Sequence, residues 1–441
     1  MNWQPLLAAS ILTLSATAWA GSALCPPVVP VQGAPVRSAA PLFPADNWWN
    51  LDIRSAPVDA NSADFIGFIN NGGQRKLHPD FGGEVSPGSV AIYGMPYAVV
   101  DASQAKLSVS FQYADESDGA GVPFYPIPTQ AITQPHWVEG GAPANVDQRN
   151  SSDRHLLMVD CSANALYELY NVYYNPTQGR WLAGSGAFFD MNINGRRPDG
   201  WTSADAAGLA IFPGLVRWDE VYDPAVSEIG HALRVTVRST NGYVWPASHV
   251  AGSTSGALPM GARLRLKASV NGQDPVLRTS DANMRKIFRA MQKHGLIVAD
   301  NGSDLYITGT FDTRWNNDIL NPAFALLSAS DFDVVQLGWN PVAGPPELAS
   351  LALAPTRVVG GSPATGTVTL SAAATGAGAV VALKSSNTAL VTVPVSVTVA
   401  AGANTANFAV STRSTRLAKN VTITATWQGK SVNAVLSVVR R

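Results

Sequence analysis

Short apolar or alternating runs, each closed by Gly, Asn, Asp or Pro, recur along most of the chain. They read as strands joined by turns: Ala98-Val99-Val100, Lys106 to Tyr113, His155 to Asp160, Ala165 to Tyr173, Ala232 to Val237 and Arg263 to Ala268. Helical periodicity is confined to two stretches. Asn61 to Ile69 opens with Asn61 and Asp64 at capping-box spacing and carries Phe65, Ile66, Phe68 and Ile69. Ser280 to His294 has Ser280 as N-cap, an apolar stripe at Met284, Ile287, Phe288 and Met291, and a stop at Gly295. The pattern predicts a mainly β protein with a few short helices.

Punctuation divides the chain. Pro341-Val342-Ala343-Gly344-Pro345-Pro346 stops any regular element and marks a linker over 341–346. The stretch 41–340 is then expected to be one large antiparallel β-sandwich or jelly-roll-like domain. Residues 347–441 are rich in Val, Thr, Ala and Ser with turn signals at short intervals, the pattern of a small antiparallel sandwich. Through Ser385-Ser386-Asn387-Thr388-Ala389-Leu390-Val391-Thr392-Val393-Pro394 and Val397-Thr398-Val399-Ala400-Ala401-Gly402-Ala403 this part resembles bacterial Ig-like domains, which implies a fold and no chemistry. The larger part is similar to a set of exported bacterial proteins in Leu77-His78-Pro79-Asp80-Phe81-Gly82, Tyr113-Ala114-Asp115-Glu116-Ser117-Asp118, Trp201 to Gly208 and Ala299-Asp300-Asn301-Gly302-Ser303. That resemblance implies a single exported domain from about Pro44 to Leu337 and no particular activity.

The first twenty residues read as a secretory signal, 1–20, with an apolar run from Leu6 to Leu14 and Ala18-Trp19-Ala20 before Gly21. No Lys or Arg precedes the apolar run, so the α-amino group alone supplies positive charge. Leu24 ahead of Cys25 weakens a lipoprotein reading. Residues 21–40, rich in Pro, Ala and Val, predict an extended lead-in. No later run approaches the roughly eighteen apolar residues of a membrane helix. The expected location is outside the cytoplasm, extracellular or periplasmic, with no membrane insertion. Cys25 and Cys161, the two cysteines, either pair across the chain or remain free thiols.

Charge is unevenly placed. All 31 acidic residues precede position 349, whereas eight of the 30 Lys and Arg follow it. The basic part lacks Lys/Arg clusters interleaved with aromatics, so nucleic acid is not an expected partner.

Candidate chemistry concentrates between Asp153 and Glu220. A four-residue loop from Ser162 to Ala165 would set His155 opposite Val172 and bring His155, Glu168 and Tyr170 to one face. A three-residue loop would set His155 opposite Asn171 and turn Glu168 to the other face. Asp153 shares the His155 face in either case and could orient its imidazole. The structural alternative for Asp153-Arg154-His155 is an ion pair with a partly buried His. Glu168, among apolar neighbours, is either a carboxyl of raised pKa suited to a general acid or the partner of Arg234 or Arg263. Asp115, Glu116 and Asp118 could divide acid and nucleophile roles in glycoside hydrolysis, bind Ca²⁺, or form a solvated turn. Thr202 and Asp205 fit a capping box, and Asp300 to Asp304 fit a turn between strands. His155, His231 and His249 could form a metal site but lack zinc-type spacing. There is no Gly-x-Ser-x-Gly and no Gly-rich phosphate loop after a strand.

Trp201, Trp218 and Trp315 sit beside charged or turn residues, as the aromatic platform of a sugar site would. With Tyr170 and Arg154 they complete an expected substrate surface. The expectation is an exported carbohydrate-active protein that degrades an extracellular polysaccharide, as a glycoside hydrolase or a lyase. Glu168 would be the acid, assisted by Asp153 and His155 or by Asp115 and Glu116. A non-catalytic, glycan-binding surface or matrix protein is the alternative. No cofactor is expected, Ca²⁺ being the one candidate ion.

Overall fold

The computed structural model describes residues 25–36, 41–341, 346–372, 374, 378–401 and 403–440. The expected signal peptide, residues 21–24 and 37–40 of the lead-in, and residues 342–345 of the linker lie outside the described residues.

The protein is mainly β, with five sheets and a few short helices among the described residues, as the alternating runs predict. A first sheet is ordered Val31–Gln32, Tyr97–Val100, Leu156–Asp160, Ala165–Tyr170, Ser185–Asp190. A second is ordered Phe332–Val334, Arg263–Leu266, Leu296–Asn301, Leu233–Val237, Tyr306–Thr308, His78–Asp80. Both contain parallel pairs, Tyr97–Val100 with Leu156–Asp160 and Leu233–Val237 with Leu296–Asn301. Long crossovers separate the partners, which parallel pairing requires. Side-chain alternation splits the first sheet between two cores. Leu156, Met158, Tyr167 and Leu169 pack with Tyr125 and Trp181, while Leu157, Val159, Leu166 and Ala187 join Leu233, Val235 and the helices in the main cluster.

The run expected from Ala165 to Tyr173 is broken at Asn171, whose φ of 58° leaves the strand region. Tyr173–Asn175 pairs instead in a separate three-stranded sheet. Helix Ala282–Lys293 buries Met284, Ile287, Phe288 and Met291, but its N-cap is Asp281, not Ser280: the Asp281 carboxylate accepts from the amides of Asn283 and Met284. Gly295 ends it at φ 79°, where a Cβ would lie 2.7 Å from the Leu264 carbonyl. Helix Ser62–Asn70 forms where expected, although the Asn61 side chain makes no capping bond.

Cys25 and Cys161 are joined in a disulfide with Cα atoms 5.0 Å apart. The arm that follows Cys25 is held further by pairing Val31 with Val99 and Gln32 with Ala98. Toward the C-terminus, a four-stranded sheet and a five-stranded sheet form a sandwich. Strands such as Ala379–Ser385 alternate buried and exposed positions, and the core they enclose, including Val381, Val410, Ile423 and Leu436, comes only from residues 348–438.

One segment departs from this regularity. Residues 201–217 contain only the short turn Phe212–Gly214, yet every residue from Ser203 to Arg217 except Ala206 is buried. The segment touches both large sheets: Ile211 and Phe212 meet Glu168 of the first, and Val216 donates to Thr308 of the second.

Candidate functional site

A buried, irregular backbone must find partners for its N–H and C=O groups outside any helix or sheet ladder. Polar side chains supply them along the 201–217 segment. Glu168 accepts the amides of Ile211 at 2.9 Å and Phe212 at 2.8 Å. Ser185 donates to the Ser203 carbonyl at 2.6 Å, His155 Nε2 to Ala204 at 3.0 Å and His249 Nδ1 to Ala206 at 2.9 Å. The segment turns at Gly208, φ 72°, where a Cβ would sit 2.0 Å from Ser248 Oγ.

These contacts revise the expected roles. The hairpin pairs Asp160 with Ala165 and Leu157 with Glu168, which puts His155 level with Tyr170, a register different from both expected ones. Because side chains alternate with period two, His155, Glu168 and Tyr170 still share a face. Glu168 is completely buried against Ile211 and Phe212 and does not line the cavity described below. Burial pushes its carboxyl up to about 7 against the opposing pull of the two backbone amides. Neither expected arginine is its partner. Arg234 binds Asp205 and Asp300, and Arg263 donates to the carbonyls of Trp48 and His294.

His155 is oriented by Glu139, not by Asp153. Its Nδ1 lies 2.6 Å from the Glu139 carboxylate, and its Nε2 faces a carbonyl. Both partners only accept, so both ring nitrogens carry protons. Burial opposes that charge, but the charge and hydrogen bond of Glu139 outweigh it and bring the imidazole up to about 9. Asp153 is exposed nearby and adds to the effect. Arg154, expected to contact substrate, is fully buried at φ 55°; its guanidinium donates to the carbonyls of Ala142 at 2.7 Å and Pro143 at 2.9 Å. It braces the loop that carries Glu139.

Asp205 opens no helix. Its carboxylate meets Arg234 through two bonds, at 2.9 and 2.8 Å, and Arg234 also reaches Asp300 at 3.0 Å and Thr308 at 2.9 Å. A bulge makes this possible. The register slips between Val235 and Thr236, so that Thr236 pairs with Asp300 and the Asp300 side chain comes to the Arg234 face.

Around these groups lies a cavity of about 420 Å³. Its wall includes Glu116, Asp153, Asp205 and Asp300, the rings of Tyr113, Tyr170, His155 and His249, and Ser185, Thr202 and Asn301. Of the expected residues, Asp153, Glu116, His155 and Tyr170 therefore come together, and Glu168, Arg154, Asp115, Trp201, Trp218 and Trp315 do not. Asp115 is exposed beside the cavity residue Glu116, while Asp118 is tied to Arg197 and the Phe188 amide. Trp201 stands 5.4 Å from the Arg197 guanidinium. Trp218 is covered by Arg314 at 3.7 Å, and Trp315 is buried with its indole donating to Thr310 at 3.0 Å. The expected tryptophan platform is not assembled at this cavity; the aromatic surfaces there are Tyr113, which is 48% exposed, and half-buried Tyr170.

The three histidines do not converge either, since His231 pairs with Glu220 at 3.0 Å away from the cavity wall. Among the described residues no group of three or more His, Cys, Asp or Glu is placed to hold a metal ion. His249 is the cavity histidine with a ring nitrogen to spare. Its Nδ1 donates to Ala206, and its Nε2 has no partner among the described residues. Sequence reasoning passed over Glu139, which lies in a loop without periodicity, and read Asp300 and Asn301 only as a turn. No protein-family model matches the chain, and no curated protein shows significant sequence similarity to it.

Proposed function

We propose that the chain is an exported carbohydrate-active protein that hydrolyses a glycosidic bond within the cavity beside the 201–217 segment. The observation that carries the proposal is the make-up of the wall: two carboxylates without a cationic partner, Glu116 and Asp153, stand with the phenols of Tyr113 and Tyr170. Sugars present apolar ring faces and hydroxyl edges, and this combination answers both. Glu116 and Asp153 are the carboxylate pair in the proposal, and His249 Nε2 is a further proton acceptor.

Hydrolysis is favoured over elimination. A lyase acting on a uronate is helped by a free cation against the sugar carboxylate. None of the described lining residues is Lys or Arg, and the charged His155 already has both ring nitrogens bound, to Glu139 and to the Ala204 carbonyl. The nearby arginines are occupied: Arg154 by loop carbonyls, Arg197 by Asp118 and two carbonyls, and Arg234 by Asp205 and Asp300. The Cys25–Cys161 bond supports export, because disulfides persist in oxidising compartments.

A non-catalytic glycan-binding role is the second reading. It is favoured by the fact that His155 and Asp205 hold structure in place and are not free to exchange protons. A polysaccharide panel separates the readings when bound ligand, new reducing ends and unsaturated products are measured together. Reducing ends that disappear in Glu116→Gln and Asp153→Asn, with melting temperatures unchanged, are the expected result. Retention without product favours the binder, unsaturated product the lyase. Neither retention nor product with any glycan sinks the carbohydrate reading.

A further inference from the structure

We infer that the ligand of this cavity carries positive charge, as an amino sugar of a de-N-acetylated glycan does; the inference rests on the carbohydrate reading above.

The charge distribution of the wall carries it. Three accessible carboxylates, Glu116, Asp153 and Asp300, face a space whose described lining contains no Lys or Arg, and the Asp205 carboxylate lies fully buried just beneath it. Arg234 stands behind the wall and serves Asp205 and Asp300 together, one cation between two anions. The charge of His155 is matched by Glu139. Glu116 accepts one backbone amide, from Thr202 at 3.0 Å. Asp153 has no side-chain hydrogen bond or ion pair among the described residues. The balance is negative, and a concave site with low-dielectric walls strengthens such a field.

The aromatic groups add to the same preference. Tyr113 and Tyr170 offer ring faces beside the carboxylates, and a ring face attracts an ammonium group through its quadrupole. At about 420 Å³ the space falls in the range of small-molecule sites, roughly 300–1,000 Å³. An amino sugar unites what the wall can use: an apolar ring face for the tyrosines, hydroxyl donors for the carboxylates, and an ammonium group for Asp153 or Glu116.

The test is calorimetric titration of the full chain at mildly acidic pH with a glucosamine tetramer, an N-acetylglucosamine tetramer, cellotetraose and spermidine. The glucosamine tetramer is expected to bind about tenfold tighter than either uncharged sugar. It should weaken several-fold when salt rises from about 50 to about 500 mM. Asp153→Asn and Glu116→Gln should each erode the preference without lowering the melting temperature. Equal binding of the uncharged sugars, or a preference that survives both substitutions, overturns the charge inference and leaves the carbohydrate reading standing. Spermidine binding as tightly as the amino sugar overturns the amino-sugar assignment and the carbohydrate reading together. No binding by any of the four overturns the amino-sugar inference, while the polysaccharide panel decides the carbohydrate reading separately.

Discussion

Glu139 and His155 meet at 2.6 Å beneath the cavity, and the far side of the same imidazole bonds the Ala204 carbonyl at 3.0 Å. A histidine clamped between two acceptors acts as a fixed cation that joins the Glu139 loop to the buried segment. Its folded-state value of about 9 lies above the ordinary 6.5. The stabilisation is therefore complete below pH 6.5 and is lost as pH rises through about 9, by about 3 kcal/mol on linkage. Urea midpoints measured from pH 6 to 10 should fall across that window. His155→Gln should flatten the fall; a wild-type profile with no such limb would mean the ring is held neutral.

Glu168 and the amides of Ile211 and Phe212 form a capping arrangement, not a reacting one. Glu168→Gln keeps an oxygen for both donors and is expected to cost about 1–2 kcal/mol. Glu168→Leu leaves two buried amides unpaired and should cost about 2–6 kcal/mol. Ligand affinity and product formation should survive the glutamine variant. Loss of turnover in Glu168→Gln at full stability would return the acid role to this residue.

Arg234 and Asp205 are both buried and joined by two hydrogen bonds. Arg234→Met strands the buried Asp205 carboxylate and should cost about 3–5 kcal/mol, and Asp205→Asn should cost less because Arg234 keeps Asp300. The combined Asp205→Asn, Arg234→Met variant should lose less than the sum of the two. Simple additivity in denaturant unfolding would show that the pair is not coupled.

The disulfide closes a loop between residues 136 apart in sequence. Replacing both cysteines by alanine should lower stability by about 2–5 kcal/mol. Hydrogen exchange should show the Val31–Gln32 strand losing protection first, since its two-residue pairing is the other described strand contact of the arm. A variant as stable as the parent would show that the arm is held by its pairing alone.

Local periodicity was enough to read much of this fold. Period-two runs located the strands 97–100, 156–160, 165–170, 233–237 and 263–266, and the apolar stripe located helix Ala282–Lys293. Of the two expected loops, the four-residue one carries His155, Glu168 and Tyr170 to one face as observed, because the true loop, Cys161 to Asn164, is also four residues and starts one residue earlier, which shifts the pairing by an even number. The cap of the helix was misplaced by one residue, since Ser280 and Asp281 both carry capping side chains and only the backbone decides between them.

The chain by itself thus determined the mainly β character, the two composition zones and the concentration of polar residues near Asp153 and Asp205. Only the tertiary structure decided what those residues do. Glu168 found Ile211, His155 found Glu139, and Asp205 found Arg234, each across a large sequence separation. Strand alternation reports which face a side chain takes, a local property of the backbone. The partner on that face depends here on how the aperiodic segment 201–217 is threaded against the sheets, and buried amides and carbonyls on such a segment recruit whichever polar side chains reach them. The cavity is what remains where Glu116, Asp153 and His249 Nε2 were left unclaimed by that requirement or only lightly bound.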